Sequence, residues 1–318
     1  MASARKRRGR RGGGAGKKSK ALQLVEYAAA RAVIFIFQHM PPGAAAAVGR
    51  GLGDVLHGAL GRRRALAAEN LRRAFPEKDE AEVRGLVRES FRSMVLTLME
   101  MIRLRSFLTD SEAVNALRES SADLDALFAK AREIHDRSGG CIFVTPHIGN
   151  WEVLPFVSRV MGIPLVVVGR PLDNPYLQRL LFSSRTESGQ LVIPKRNALF
   201  VLQRTLSQGK SIGLLPDQST KKGIVVDFFG RPATTTPLPA LLAVTYRRPI
   251  VVVACCRKET GSRYFKGYVS DPLWPRPSDS ERAEIERLTA EMTRAMEEII
   301  RLHPEQYFWV HNRWKRYD

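Results

Sequence analysis

Short apolar runs alternate with amphipathic stretches through the second half of the chain. Cys141–Val144, Leu165–Gly169 and Ser211–Leu215 are dominated by Val, Ile, Leu and Phe, and each leads into a turn signalled by Pro or Gly. Such unbroken runs predict strands buried on both faces. Ile250–Arg257 predicts a central strand, Leu191–Ile193 a short one, and Phe265–Val269 an edge strand. Between them, Trp151–Met161, Asn174–Ser188, Ala198–Ser207 and Pro237–Thr245 predict helices, the third stopped by Gly209. Asp279–Leu302 is a longer helix whose stripe runs Ile285, Leu288, Met292, Met296, Ile299. Strands alternating with helices imply a single α/β domain, with a mainly parallel central sheet flanked by helices.

The first half reads as helical. Arg62–Phe75 has a basic face and ends at Pro76. Asp79–Leu104 repeats apolar residues at helical spacing, and Asp123–Asp136 is a further amphipathic helix. Upstream, Leu22–Gly61 is rich in Ala, Val, Leu, Ile and Phe. Its longest uncharged run, Ala32–Gly49, is broken by Pro41-Pro42, so it predicts either a helix dipping into a bilayer or a pair of interfacial helices. No cleaved signal peptide is expected, because no small-residue cleavage site follows a clean apolar core. The expected organisation is a disordered basic tail over 1–20, a membrane-associating helical segment over 21–61 and the main folded domain over 62–318.

Charge sharpens this picture. The 318 residues carry a net charge of +19, and the first 20 hold nine Lys or Arg and no acid, about half of the excess. Such a tail suits an anionic membrane surface. Nucleic acid is the weaker partner, since no aromatic residue is interleaved for stacking and no reader fold follows. The 44% of apolar residues can bury a sizeable core. Three Cys, two of them adjacent, form neither a disulfide framework nor a metal-ligand pattern, and reduced cytoplasmic thiols are expected.

Candidate chemistry collects at the ends of the strands, where ligands bind in open α/β sheets. Cys141–Val144 runs into Thr-Pro-His147-Ile-Gly149-Asn150-Trp-Glu152. Imidazole titrates near working pH, and a carboxylate bonded to it fixes its tautomer. If the turn folds Glu152 back toward the ring, the two form a base and its orienter. Leu165–Gly169 ends in Arg170, a guanidinium placed to grip a phosphate or carboxylate. Ser211–Leu215 ends in Pro216-Asp217-Gln218, where Asp217 is a candidate to bind a sugar hydroxyl or orient an Arg. Phe228 and Phe229 offer apolar surface suited to an acyl chain, and Arg231 offers a cation.

The His147–Glu152 stretch with its preceding strand resembles the catalytic motif of the bacterial lipid A biosynthesis acyltransferases, within the glycerophospholipid acyltransferase superfamily and its H-x4-D/E mark. Similar segments follow in the same order from about Asn70 to the end: Arg170-Pro-x-x-Asn-Pro, Pro-Asp217-Gln, Phe-Phe229-Gly-x-Pro-Ala-x-Thr and a terminal Gln306-Tyr-x-Trp-x-His311-x-Arg313-x-Lys. The resemblance implies O-acyl transfer from a thioester, acyl carrier protein or acyl-CoA, to a hydroxyl of a lipid A precursor. It needs no cofactor or metal and places the enzyme on the cytoplasmic face of a bacterial inner membrane. His147 would be the general base and Glu152 its orienter. Backbone N–H groups near Gly149 and at the start of the following helix are candidates for the oxyanion. Asn150, Arg170, Arg185, Asp217, Gln218, Phe229 and Arg231 form the expected substrate-binding set. For His311 and Arg313, an aromatic clamp packing the C-terminus is expected over substrate contact. Two alternatives stand beside this reading: acylation of a lysophospholipid, ornithine lipid or phosphatidylinositol mannoside, and a basic nucleic-acid-binding protein.

Overall fold

The computed structural model describes residues 19–107, 121–163, 165–168, 172–180, 192–193, 198–258, 265–315 and 317. Six strands form the main sheet: β1 Ile142–Val144, β2 Leu165–Val168, β3 Val192–Ile193, β4 Ser211–Leu214, β7 Ile250–Arg257 and β8 Phe265–Val269. Their order is β3-β2-β4-β1-β7-β8. All neighbours are parallel except β8, which runs antiparallel along β7. The predicted sheet is therefore observed, with Phe265–Val269 at its edge.

Side-chain alternation divides the core into two layers. Ile142, Val144, Ile212, Leu214, Ile250, Val252 and Ala254 point to one face. There they meet α3 (Gly61–Ala74), α4 (Glu80–Phe107), α7 (Ala198–Ser207), α8 (Leu238–Tyr246) and α9 (Glu281–Leu302). Cys141, Phe143, Leu165, Val251, Val253 and Cys255 point to the other, against α5 (Ala122–Ser138) and α6 (Val153–Val160). Helices on both faces explain why every residue of β7 is buried. All three Cys are buried and free, and burial pushes the Cys141 thiol up to about 12.

The hairpin of β5 (Ile224–Phe228) and β6 (Arg231–Thr235) stands apart as its own two-stranded sheet. Its two-residue loop, Phe229-Gly230, has positive φ at both positions, 55° and 68°, as a type I′ turn demands. Phe is a poor residue for that conformation. Tertiary contacts hold it: the Phe229 N–H donates to Glu297 Oε2 at 2.6 Å. The ring packs among Phe75, Phe228 and Trp309 beneath the Arg301 guanidinium.

At the N-terminus the chain makes two helices, α1 (Lys20–His39) and α2 (Pro42–Ala59). The uncharged run is split at the prolines, as the paired-helix reading expects. Arg103 on α4 donates to the carbonyls of Phe37 and Met40 at the corner. Among the described residues α1 is the helix long and apolar enough to cross a membrane, by length and composition alone, and none of it is buried. Leu24, Val25, Val33, Phe35 and Ile36 on α1 and Val48, Leu52 and Val55 on α2 are exposed, an apolar surface of the kind that meets membranes or partners.

The inner face of α2 buries Ala45, Gly49 and Gly53, one per turn. A Cβ on Gly53 would lie 2.6 Å from the Cα of Arg92, so α2 and α4 touch backbone to backbone there. Beside this contact, Asp54 accepts two hydrogen bonds from each of Arg88 and Arg92. Those bonds hold its carboxyl well below the usual carboxylate range. Gly51 faces open space two residues away. Gly51→Ala is therefore expected to stabilise the protein by about 0.5–1 kcal/mol, through the better helix propensity of Ala. Gly53→Ala should destabilise it by about 1–3 kcal/mol through overpacking. Thermal unfolding of both variants in the same detergent reads the opposite signs.

Candidate active site

The site forms where two adjacent parallel strands end. Val144 of β1 is paired with Leu214 of β4, and both chains continue in step for three residues, to His147 and Asp217. The Asp217 carboxylate holds His147 in two places, once at the ring and once at the backbone. Oδ1 lies 2.6 Å from His147 Nδ1, and Oδ2 accepts the His147 backbone N–H at 2.9 Å. A carboxylate accepting at Nδ1 selects the tautomer with its proton there and leaves Nε2 to take one. Asp217 is 2% exposed and His147 20%, so the carboxylate forms the floor and the ring reaches outward.

Electrostatics follow from that geometry. Burial alone would lower the His147 pKa, but the charge and hydrogen bond of Asp217, with a smaller pull from Glu152, raise it above 6.5. Burial would raise Asp217; the imidazole, the two hydrogen bonds from His147 and the cation of Arg313 together hold it below its ordinary value. The Tyr307 phenol, buried beside Asp217, is pushed well above its usual range by burial first and by that carboxylate second. Arg313 is itself buried, donating to Thr234 O and Thr235 Oγ1 and lying 4.8 Å from the centre of the Phe228 ring.

Glu152 is half-buried and stands just ahead of α6 as its N-cap. The bond at Nδ1 is made by Asp217, and the charge of Glu152 also acts on the ring. The reason is the sheet order. A carboxylate on the neighbouring strand's end meets the ring directly, whereas one five residues along the same chain must turn back past Trp151. That indole packs edge-on to the imidazole at 5.2 Å, and Phe308 lies 6.1 Å away on another side.

The turn between His147 and Glu152 is held from beneath. Gly149 has φ 57°, and a Cβ there would fall 2.2 Å from the Cys255 carbonyl, so only Gly fits. The N–H groups of Gly149 and Asn150 donate to Gln306 O and Cys255 O; they are spent on the fold, which corrects their expected part in binding an oxyanion. Ile148 bridges to Tyr307, and the Phe308 N–H donates to His147 O at 3.0 Å. The C-terminal segment is thus the clamp expected of it, with Trp309 buried among Phe75, Phe229 and Tyr307. His311 Nε2 accepts the Ser219 N–H at 3.2 Å. Burial lowers the His311 pKa.

The remaining expectations divide sharply. Asn150 is fully buried and donates to Glu100 Oε2 at 2.8 Å, which ties the turn to α4. Phe229 belongs to the core, 5% exposed, because the hairpin turn folds it inward; it is not an open acyl-chain surface. Arg231 is exposed and donates to Arg73 O at 3.3 Å, tying the hairpin to α3. Gln218, next to Asp217, is half-buried. Arg170 and Arg185 lie outside the described residues. Two residues of importance went unsingled by sequence: Tyr307, within an aromatic segment that reads as packing, and Arg257, which reads as the polar end of a strand.

A family model described as bacterial lipid A biosynthesis acyltransferase matches residues 15–316. The chain is 26% identical over 288 residues to the lipid A biosynthesis palmitoleoyltransferase of Escherichia coli strain K12, covering 89% of each. It is equally 26% identical over 288 residues to the lipid A biosynthesis lauroyltransferase of that strain, again with 89% of each covered. A phosphatidylinositol mannoside acyltransferase of Mycolicibacterium smegmatis is 28% identical over 138 residues, 42% of this chain and 44% of that one. The family match runs from α1 to the C-terminal clamp without leaving out any element of the site, and the chain belongs to the bacterial lipid A biosynthesis acyltransferase family.

Proposed function

We propose that the protein transfers a fatty acyl group from a thioester to a hydroxyl of a lipid A precursor, with His147 as general base. The observation that carries this reading is the His147–Asp217 pair at the ends of β1 and β4. His147 Nε2 takes the proton of the acceptor hydroxyl as its oxygen attacks the thioester carbonyl. The imidazolium that forms is stabilised by the charge of Asp217, in the manner of a triad carboxylate. When the tetrahedral intermediate collapses, the C–S bond breaks and the leaving thiolate receives that proton. The atoms balance: one ester forms, one thioester is lost and the proton ends on sulfur. Glu152 adds negative charge beside the ring and favours the charged intermediate state.

The acceptor's phosphates would be gripped by Arg170 and Arg185, with Gln218 beside the base available to a sugar hydroxyl. Net positive charge supports an acidic donor such as acyl carrier protein over a small neutral thioester; acyl-CoA, also anionic, is the alternative donor. The exposed apolar residues of α1 and α2 would rest in the cytoplasmic face of the inner membrane, where both the acceptor and the anionic lipid surface are found. The partial likeness to a phosphatidylinositol mannoside acyltransferase keeps another anionic glycolipid as a second acceptor reading. Mass spectrometry of lipids from cells with and without the protein separates the two, because only one lipid class should lose a chain.

In reconstituted transfer from acyl carrier protein to a lipid A precursor, His147→Ala should lower kcat by about 10²- to 10⁴-fold. Its melting temperature and membrane fractionation should match the parent, and near-normal turnover would end the assignment. The raised pKa of His147 predicts that kcat/KM climbs with pH along a limb centred above 6.5, since only the neutral imidazole accepts a proton. Asp217→Asn removes the charge that favours imidazolium, so this limb should move to lower pH while the plateau drops by about 10²- to 10⁴-fold. A limb that stays in place in that variant would assign it to another group.

A further inference from the structure

We propose that Thr97, Glu100 and Arg257 are positioning residues: a largely buried charged network that holds the Gly149–Asn150 turn and through it aims His147. The inference rests on His147 being the base. Its starting point is the polar contacts of the turn. Gly149 O accepts from Thr97 Oγ1 at 2.6 Å, and Asn150 Nδ2 donates to Glu100 Oε2 at 2.8 Å. The backbone N–H groups of the two residues go to Gln306 O and Cys255 O. All four partners converge on Arg257 at the end of β7.

Arg257 is 1% exposed. Its Nε and Nη2 donate to the two oxygens of Glu100 at 2.8 and 2.7 Å, a bidentate pair. Nη2 also donates to Thr97 Oγ1 at 2.7 Å, and Nη1 to Ser93 Oγ at 3.1 Å. The Arg257 backbone exchanges both its hydrogen bonds with the Gln306 side chain, each at 2.8 Å. Cys255, whose carbonyl receives the Asn150 N–H, lies two residues earlier on the same strand. Arg257 therefore ties α4, through its side chain, and the C-terminal segment, through its backbone, to the strand beneath the turn that carries the base.

The chemistry of Thr97 makes the link directional. Because its oxygen accepts from the Arg257 cation, its single proton is turned away, toward the carbonyls of Gly149 and Ser93, 2.6 and 3.0 Å distant. The Gly149 carbonyl is thereby held two residues from His147. A buried ion pair is weak evidence for stability, since apolar residues of the same volume often do as well. Placement of the reacting groups, by contrast, is sensitive: an error of about 1 Å costs roughly 100-fold in rate.

The test uses Thr97→Val, which keeps the shape and loses the hydroxyl, and Thr97→Ser, which keeps the hydroxyl. With the full-length protein in detergent, below its unfolding temperature, the Val variant should lose about 10- to 100-fold in kcat. KM for acyl donor and lipid acceptor should stay within about twofold. The Ser variant should recover most of the rate. The pH limb should not move in either, because the His147–Asp217 bond is untouched. A purely structural role would lower the melting temperature and leave kcat at the parent value, and that result overturns the proposal. If the Val variant does not accumulate, Asn150→Ala, which removes the tie to Glu100 and leaves the ion pair, is read by the same criteria. Inactive His147→Ala beside fully active Thr97→Val would sink this inference alone, whereas active His147→Ala would take the assigned base with it.

Discussion

The pairing of β1 with β4 is the constraint on which the site depends. Parallel strands hydrogen-bonded in register leave their following residues side by side, and that alone sets the imidazole of His147 against the carboxylate of Asp217. Two prolines, Pro146 and Pro216, stand one residue before the pair and keep both chains from continuing into the ladder. Each residue meets a partner that the sheet order selects, since β4 comes seventy residues later and inserts between β1 and β2. A slip of one residue would send both side chains to opposite faces and dissolve the contact.

Around this pair the fold spends its buried polar groups in a consistent way. Arg313 and Tyr307 lie behind Asp217, and Arg257 with Glu100 lies behind the turn after His147. The first set lies among aromatic rings from the C-terminal segment and the β5–β6 hairpin. A low-dielectric surround strengthens every one of these electrostatic contacts and makes an unpaired group expensive. The aromatic segment thus has two duties: it closes the core, and its backbone anchors the turn that follows His147.

The N-terminal helices follow a different logic. The inner face of α2 carries small residues that let it approach α4 closely, while both helices expose apolar residues. Asn174, in the segment after β2, donates to the Gln23 carbonyl and to Glu26 on α1. These bonds join α1 to the segment that follows β2.

The alternation of apolar runs and amphipathic stretches was sufficient for the fold class, for most strands, and for placing His147 and Asp217 at strand ends. Those features depend on local periodicity and on turn residues, which are written in contiguous sequence. The choice of Asp217 over Glu152 as the carboxylate on Nδ1 was not legible, because it depends on which strands become neighbours. The same holds for Phe229, whose left-handed turn is imposed by Glu297, Trp309 and Arg301 from distant elements. Asn150 looked like a ligand contact by its position in the motif; only packing beneath the turn revealed it as an anchor to Glu100. Sequence by itself determined which residues could do chemistry and where along the chain the strands would stop. Tertiary structure decided which of them touch, since hydrogen bonds a few ångströms long join residues that the chain holds tens to hundreds of positions apart.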